Sequence, residues 1–272
     1  MLMNEQTTTV FAATQAAPEL ADLKCGSIAM FSNRSPAKET TDEDAYAVMP
    51  IDDDTIVLAV ADGVGGHPFG DAAARLAIQS LIVELREASS ASLDTAIFNG
   101  FEVDQGMITG QIPGAATTLV VVEISKHTAR MYNVGDSGAC VIGSRGKNKF
   151  QTVFHSPIGY AMAAGLLTEH EAMCHAARHL VSNTLGSEDM EVDIGKPMAL
   201  ALRDTVLIAS DGLYDNLMRA EIAQLACKGA LEQACRSLVD AASARMRQCG
   251  TGHPGKPDDL TVLMYCRHRG SS

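Results

Sequence analysis

Apolar and polar positions along this chain fall into short blocks. Runs rich in Val, Ile, Leu and Ala recur at 25–31, 45–49, 55–61, 117–124, 129–134, 138–142, 205–210 and 260–266, each bounded by Gly, Asp, Asn or Pro, and predict many short strands. A period near 3.6 replaces these runs in GDAAARLAIQSLIVELREA (70–88), SLDTAIFNGFEVDQGMI (92–108), AEIAQLACKG and ALEQACRSLVDAASARMRQ, which predict helices. Residues 156–183 follow neither period and read as irregular or partly helical. The order of elements is not a βαβα alternation. It favours an α+β layering of antiparallel sheets with helices on their outer faces over a doubly wound parallel sheet.

Composition narrows the classes. At 272 residues, 46% of them hydrophobic, the chain can bury a sizeable core. The short piece REASSASLD (86–94) reads as a connection between helices, so one domain is expected. A net charge of -12 with a pI near 5.0 argues against nucleic acid or an anionic membrane as partner, since such binders cluster Lys and Arg to neutralise phosphates. Seven cysteines, an odd count without a CxxC pair, fit neither a disulfide framework nor a zinc knuckle and predict reduced thiols. No signal-peptide core and no run of 18 apolar residues is present, so a cytoplasmic location is expected.

The acids are informative by position. Glu43 and Asp44 precede the strand AYAVM, Asp62 ends TIVLAVA, Asp136 follows MYNVG, Asp211 follows TVLIAS, and Asp258 with Asp259 precedes LTVLMY. Any one Asp beside a Gly is an ordinary turn residue. Several carboxylates at converging strand ends require cations or protons to offset their repulsion, and an all-oxygen set selects hard ions such as Mg²⁺ or Mn²⁺ over zinc.

The series TTDEDAY, VADGVGGH, GAATTLVVV, NVGDSG, ASDGLYDNL and PDDLTV, in this order over about residues 25–266, resembles the metal-dependent protein phosphatases of the protein phosphatase 2C type, bacterial branch. The resemblance implies a four-layer α-β-β-α sandwich. It places the catalytic domain at 25–267, with a flap at about 155–186, an N-terminal extension at 1–24 and a tail at 268–272. It implies hydrolysis of phosphoserine and phosphothreonine on proteins, opposite a Ser/Thr kinase, by a monomeric enzyme. VADGVGGH then reads as a carboxylate turn rather than a dinucleotide cradle, because Pro68 stands where G-x-G-x-x-G needs its third glycine.

By the same resemblance Asp62 bridges two Mn²⁺ or Mg²⁺ ions, Asp211 and Asp258 complete one site, and Glu43 with the Gly63 carbonyl completes the other. Such ions acidify a shared water that attacks phosphorus. Asp44 would orient that water, so Asp44, Asp62 and Asp211 carry the catalytic assignment. Asp136 and Asp215, with Asp211, match positions of a weaker third ion, although Asp215 reads equally as the cap of a helix starting near Asn216. Thr117 and Thr118 read as β-branched strand residues, and the histidines of the flap as packed or solvent-facing.

Two departures accompany the resemblance. Val64 stands where eukaryotic members have a histidine, leaving water to protonate the leaving alcohol, and Thr40 stands where the family places a phosphate-binding arginine. Arg34 is the nearest replacement and Lys38 the second, with a plain surface arginine as the other reading of Arg34. The missing arginine keeps a non-catalytic, partner-binding module and a phosphatase for another phosphoester as alternatives. GTGHPGKP (250–257) fails as a P-loop because Pro257 replaces the Ser or Thr and a strand follows.

Overall fold

The computed structural model describes residues 7–12, 14–65, 69–88, 92–248 and 255–267. One sheet runs in the order β1 (Thr8–Phe11), β4 (Asp44–Pro50), β5 (Thr55–Asp62), β6 (Leu119–Ser125), β7 (Thr128–Val134) and β10 (Asp193–Ile194), with β11 (Met198–Ala199) also paired to β7. The other runs β2 (Glu19–Asp22), β3 (Gly26–Asn33), β13 (Leu260–Arg267), β12 (Thr205–Ala209), β8 (Gly138–Ile142) and β9 (Asn148–Gln151). All these pairings are antiparallel.

The strand runs are apolar on both faces because both faces are covered. Along β4, Tyr46 and Val48 point to the layer between the sheets, where they meet Leu58, Val206 and Leu263. The alternate residues Ala45, Ala47 and Met49 point outward to α1 (Gly70–Glu87) and α2 (Leu93–Gln111), against Ile78, Leu81 and Phe101. The second sheet repeats the device: Leu263 and Tyr265 of β13 face inward, while Val262 and Met264 pack under α6 (Arg219–Ala226) and α7 (Leu231–Arg247) against Leu238 and Ala242. The four layers and the antiparallel sheets are those expected.

The boundary expected at residue 25 moves. Thr8–Phe11 pairs with β4 and Glu19–Asp22 with β3, so residues expected to precede the domain add an outer strand to each sheet. The stretch 156–183 contains α3 (Pro157–Ala163) and α4 (Glu169–Met173). Ser156 Oγ accepts from the Gly159 N–H at 2.9 Å, and Thr168 with Glu171 forms a capping box. Asp215 does not start a helix; it ends the single turn α5 (Asp211–Tyr214), and the next helix starts at Arg219 after Met218. Six cysteines (Cys25, Cys140, Cys174, Cys227, Cys235 and Cys266) carry free thiols, and Cys249 lies outside the described residues. Among the described residues no helix is long and apolar enough to cross a membrane.

Candidate active site

The strand ends bring the expected acids to one cleft, lined by Glu43, Asp62, Gly63, Asp136, Asp211 and Asp258. Each arrives on a different element: Glu43 just before β4, Asp62 and Gly63 at the end of β5, Asp136 between β7 and β8, Asp211 at the start of α5, and Asp258 just before β13. Backbone bonds fix the approach of Asp62. Thr117 Oγ1 and the Thr118 N–H both donate to the Asp62 carbonyl, at 2.9 and 2.8 Å, and the Asp62 N–H donates to Thr118 Oγ1 at 3.1 Å. Thr117 and Thr118 are therefore positioning residues and not strand filler. Their hydroxyls sit beside the strand end where the ladder needs side-chain partners.

Gly63 is required by packing. A Cβ there would lie 2.4 Å from the Gly70 backbone, where α1 begins. Gly66, His67 and Pro68 of the glycine-rich turn lie outside the described residues. On the opposite wall a Cβ at Gly212 would meet the Asp259 carbonyl at 1.9 Å, so the Asp211–Gly212 turn lies against the start of β13.

Asp44 is 2% exposed and neither of its oxygens has a hydrogen-bond partner among the described residues. Burial, and then Asp42 and Asp259 beside it, hold its carboxyl well above the usual range. Burial followed by repulsion from Asp44, Asp211, Asp258 and Asp136 does the same to Asp62. Burial followed by Asp211 and Asp215 raises Asp136, and burial followed by Asp211 brings Asp258 to about 7. The cleft carries more negative charge than its surroundings stabilise.

Two ammonium groups lie among these acids. Lys38 Nζ pairs with Glu43 Oε2 and lies 2.8 Å from Asp259 Oδ2. Lys256 Nζ lies 2.6 Å from Asp211 Oδ2 and 2.9 Å from both Asp215 Oδ2 and Asp258 Oδ2. Among the described residues no three His, Cys, Asp or Glu side chains are grouped so as to hold a metal ion. The donors nonetheless fit hard divalent ions: they are oxygens, in charge surplus, and Asp44 adds two unpartnered ones.

Arg34 is not in the cleft. Its Nη1 donates to the carbonyls of Glu39 and Thr40 at 3.2 and 3.4 Å, and its exposed side chain lines a separate depression with Asn33, Pro36 and Arg247. The Ser35–Pro36–Ala37 turn brings Lys38, not Arg34, back to the acids, because the Ser35 N–H is tied to Asp259 Oδ1 at 2.7 Å. Asp259 also accepts the Glu43 N–H at 2.7 Å. Buried Asp42 accepts from Ser32 Oγ at 2.8 Å and from the Asp44 N–H at 3.0 Å. Asp42, Asp259 and Lys256 join the site without a role predicted from the sequence, the adjacent acids of DEDAY and PDDL being the signal that marks the first two.

The flap leans on the same centre. The Gly135 N–H donates to His155 Nδ1 at 3.2 Å, and Arg178 Nη2 donates to the Gly255 carbonyl at 2.8 Å. His155 is buried, His170 and His175 are exposed, and exposed His179 lines the cleft, so the histidines do not gather.

Paired antiparallel sheets with carboxylates gathered at their converging strand ends define a cleft whose oxygen donors suit hard divalent cations. The family model described as protein phosphatase 2C matches residues 36–249. The serine/threonine phosphatase stp of Listeria welshimeri is 26% identical over 237 residues, covering 83% of this chain and 90% of that protein. The solved serine/threonine phosphatase of S. agalactiae superposes with a TM-score of 0.75 at 24% identity, covering 89% of this chain and 99% of that one. The catalytic domain of the phosphatase PstP, solved in complex with two manganese ions, has a TM-score of 0.68 at 22% identity, covering 88% and 96%. The chain belongs to the protein phosphatase 2C family.

Proposed function

We propose that this protein is a metal-dependent serine/threonine protein phosphatase that hydrolyses phosphoserine and phosphothreonine on proteins. The observation that carries the reading is the convergence of Glu43, Asp62, Asp211 and Asp258 on one cleft, with Asp44 buried and unpartnered behind them. Glu43, Asp62 and the Gly63 carbonyl would hold one Mn²⁺ or Mg²⁺, and Asp62, Asp211 and Asp258 the other. When bound, the ions supply charge that acidifies water and polarises the phosphoryl group.

The chain's own residues orient and exclude. Asp44 would accept a hydrogen bond from the attacking water and orient its lone pair towards phosphorus. Thr117 and Thr118 hold the Asp62 backbone still. Water attacks phosphorus, the bond to the seryl or threonyl oxygen breaks, and that oxygen takes its proton from solvent, because Val64 offers none. No side chain becomes covalently modified. The products are inorganic phosphate and the free hydroxyl, so the enzyme works against a Ser/Thr kinase, as a cytoplasmic monomer. The deciding assay offers matched phosphoserine, phosphothreonine and phosphotyrosine proteins with and without Mn²⁺. Release from the first two, only with metal, is expected; turnover that persists in EDTA would refute it.

A further inference from the structure

The lysine of GTGHPGKP has no role as a P-loop residue, yet it is held firmly among the acids of the cleft. The Lys256 backbone is clamped by one side chain: its N–H donates to Asn216 Oδ1 at 3.0 Å, and its carbonyl accepts from Asn216 Nδ2 at 2.8 Å. Asn216 is fully buried. The preceding Gly255 carbonyl is held by Arg178 of the flap. From that fixed base the side chain, 21% exposed, reaches Asp211, Asp215 and Asp258. The ammonium donates a hydrogen bond to Asp211 Oδ2 and stands within ion-pairing distance of Asp215 and Asp258.

We propose that the Lys256 ammonium is a resident cation that takes the place of the third divalent ion otherwise held by Asp136, Asp211 and Asp215, leaving this chain a two-ion enzyme. The inference rests on the phosphatase reading above. Two of the three acids of that site, Asp211 and Asp215, are the ones the ammonium touches, and Asp136 lines the same cleft as Lys256. A carboxylate oxygen keeps a second lone pair after accepting one N–H, so Asp211 and Asp258 can still serve the tight pair of ions. An ammonium tethered to the chain does not exchange with ions in solution. The charge at this position is therefore independent of the free metal concentration.

The test counts ions. Wild type and Lys256→Met would be titrated with Mn²⁺ by calorimetry and crystallised with Mn²⁺ for anomalous maps. Two ions are expected in wild type, with Lys256 Nζ still on Asp211 and Asp215, and a third ion between Asp136, Asp211 and Asp215 only in Lys256→Met. A third ion in wild type, or two ions in both proteins, would overturn the inference while leaving the phosphatase reading intact. No Mn²⁺ in wild type would overturn the phosphatase reading itself. Should Lys256→Met fail to fold, the wild-type anomalous map decides alone: two ions with the ammonium in place support the inference, three sink it.

Discussion

Asp44 and Asp62 are cross-strand partners in the register of β4 and β5, so two carboxylates face each other across adjacent strands. Side chains so placed are within about 5.5 Å at Cβ, where like charges destabilise a sheet. The fold tolerates the pair at its own cost, a cost that a divalent ion bound beside Asp62 would offset.

Mn²⁺ should therefore stabilise the folded protein. At free metal a hundredfold above Kd, each site adds about 2.7 kcal/mol. The rise in Tm measured by calorimetry should shrink strongly in Asp62→Asn, and the metal-free Asp44→Asn protein should melt above metal-free wild type. Equal metal-induced shifts in wild type and Asp62→Asn would count against Asp62 as a ligand.

Asp211→Asn should lower kcat by about 10²-fold or more and weaken Mn²⁺ binding, because charge on the reacting group goes uncompensated. Circular dichroism should not change, since Asp211 bonds Lys256 and no core residue. Activity and Mn²⁺ affinity both at wild-type values would remove Asp211 from the centre.

Arg34→Ala should leave KM for phosphopeptides within about twofold of wild type, because a group outside the cleft contributes no uniform binding. The guanidinium braces the Glu39–Thr40 carbonyls instead. A several-fold rise in KM at constant kcat would show that Arg34 swings to the phosphate.

Thr118→Val keeps the side-chain shape but strands the Asp62 N–H and the Ser137 hydroxyl, which lies 2.7 Å from Thr118 Oγ1. Urea denaturation should register a loss of about 1–3 kcal/mol, the cost of leaving buried polar groups unpaired. Thr118→Ser should recover most of it.

Asp104, on α2, is 0% exposed with both oxygens unpartnered, and burial holds its carboxyl well above the ordinary 3.8. The folded state thus binds a proton that the unfolded chain releases above 3.8, so this group makes stability fall as pH rises from there towards its folded value. Asp104→Asn removes the penalty. Its gain over wild type should be larger at pH 7 than at pH 5 in denaturant titrations.

The runs TIVLAVAD and LTVLMYCR were legible as strands because both their faces are buried, and GDAAARLAIQSLIVELRE because its apolar stripe keeps helical period. ELAD and NKFQ were not, since a four-residue outer strand with exposed side chains carries no periodic signal. The acids could be read from their strand ends. Where Lys38 and Lys256 would go could not: a long, flexible cation chooses its partners only once Asn216 and the Ser35 turn have fixed its base. Thr117 and Thr118 looked like filler for the same reason, as their bonds run to a residue 55 or 56 positions away.

The strand β13 is the last described element of the chain, yet it lies inside its sheet, between β3 and β12. Asp258 and Asp259 stand at its entrance. During synthesis, β3 and β12 must wait on the ribosome without their shared neighbour, their apolar edges open, until residues 260–267 emerge. The cleft is thereby incomplete until residues 258–267 have paired, since β13 joins β3 to β12 and carries Asp258 to the other acids.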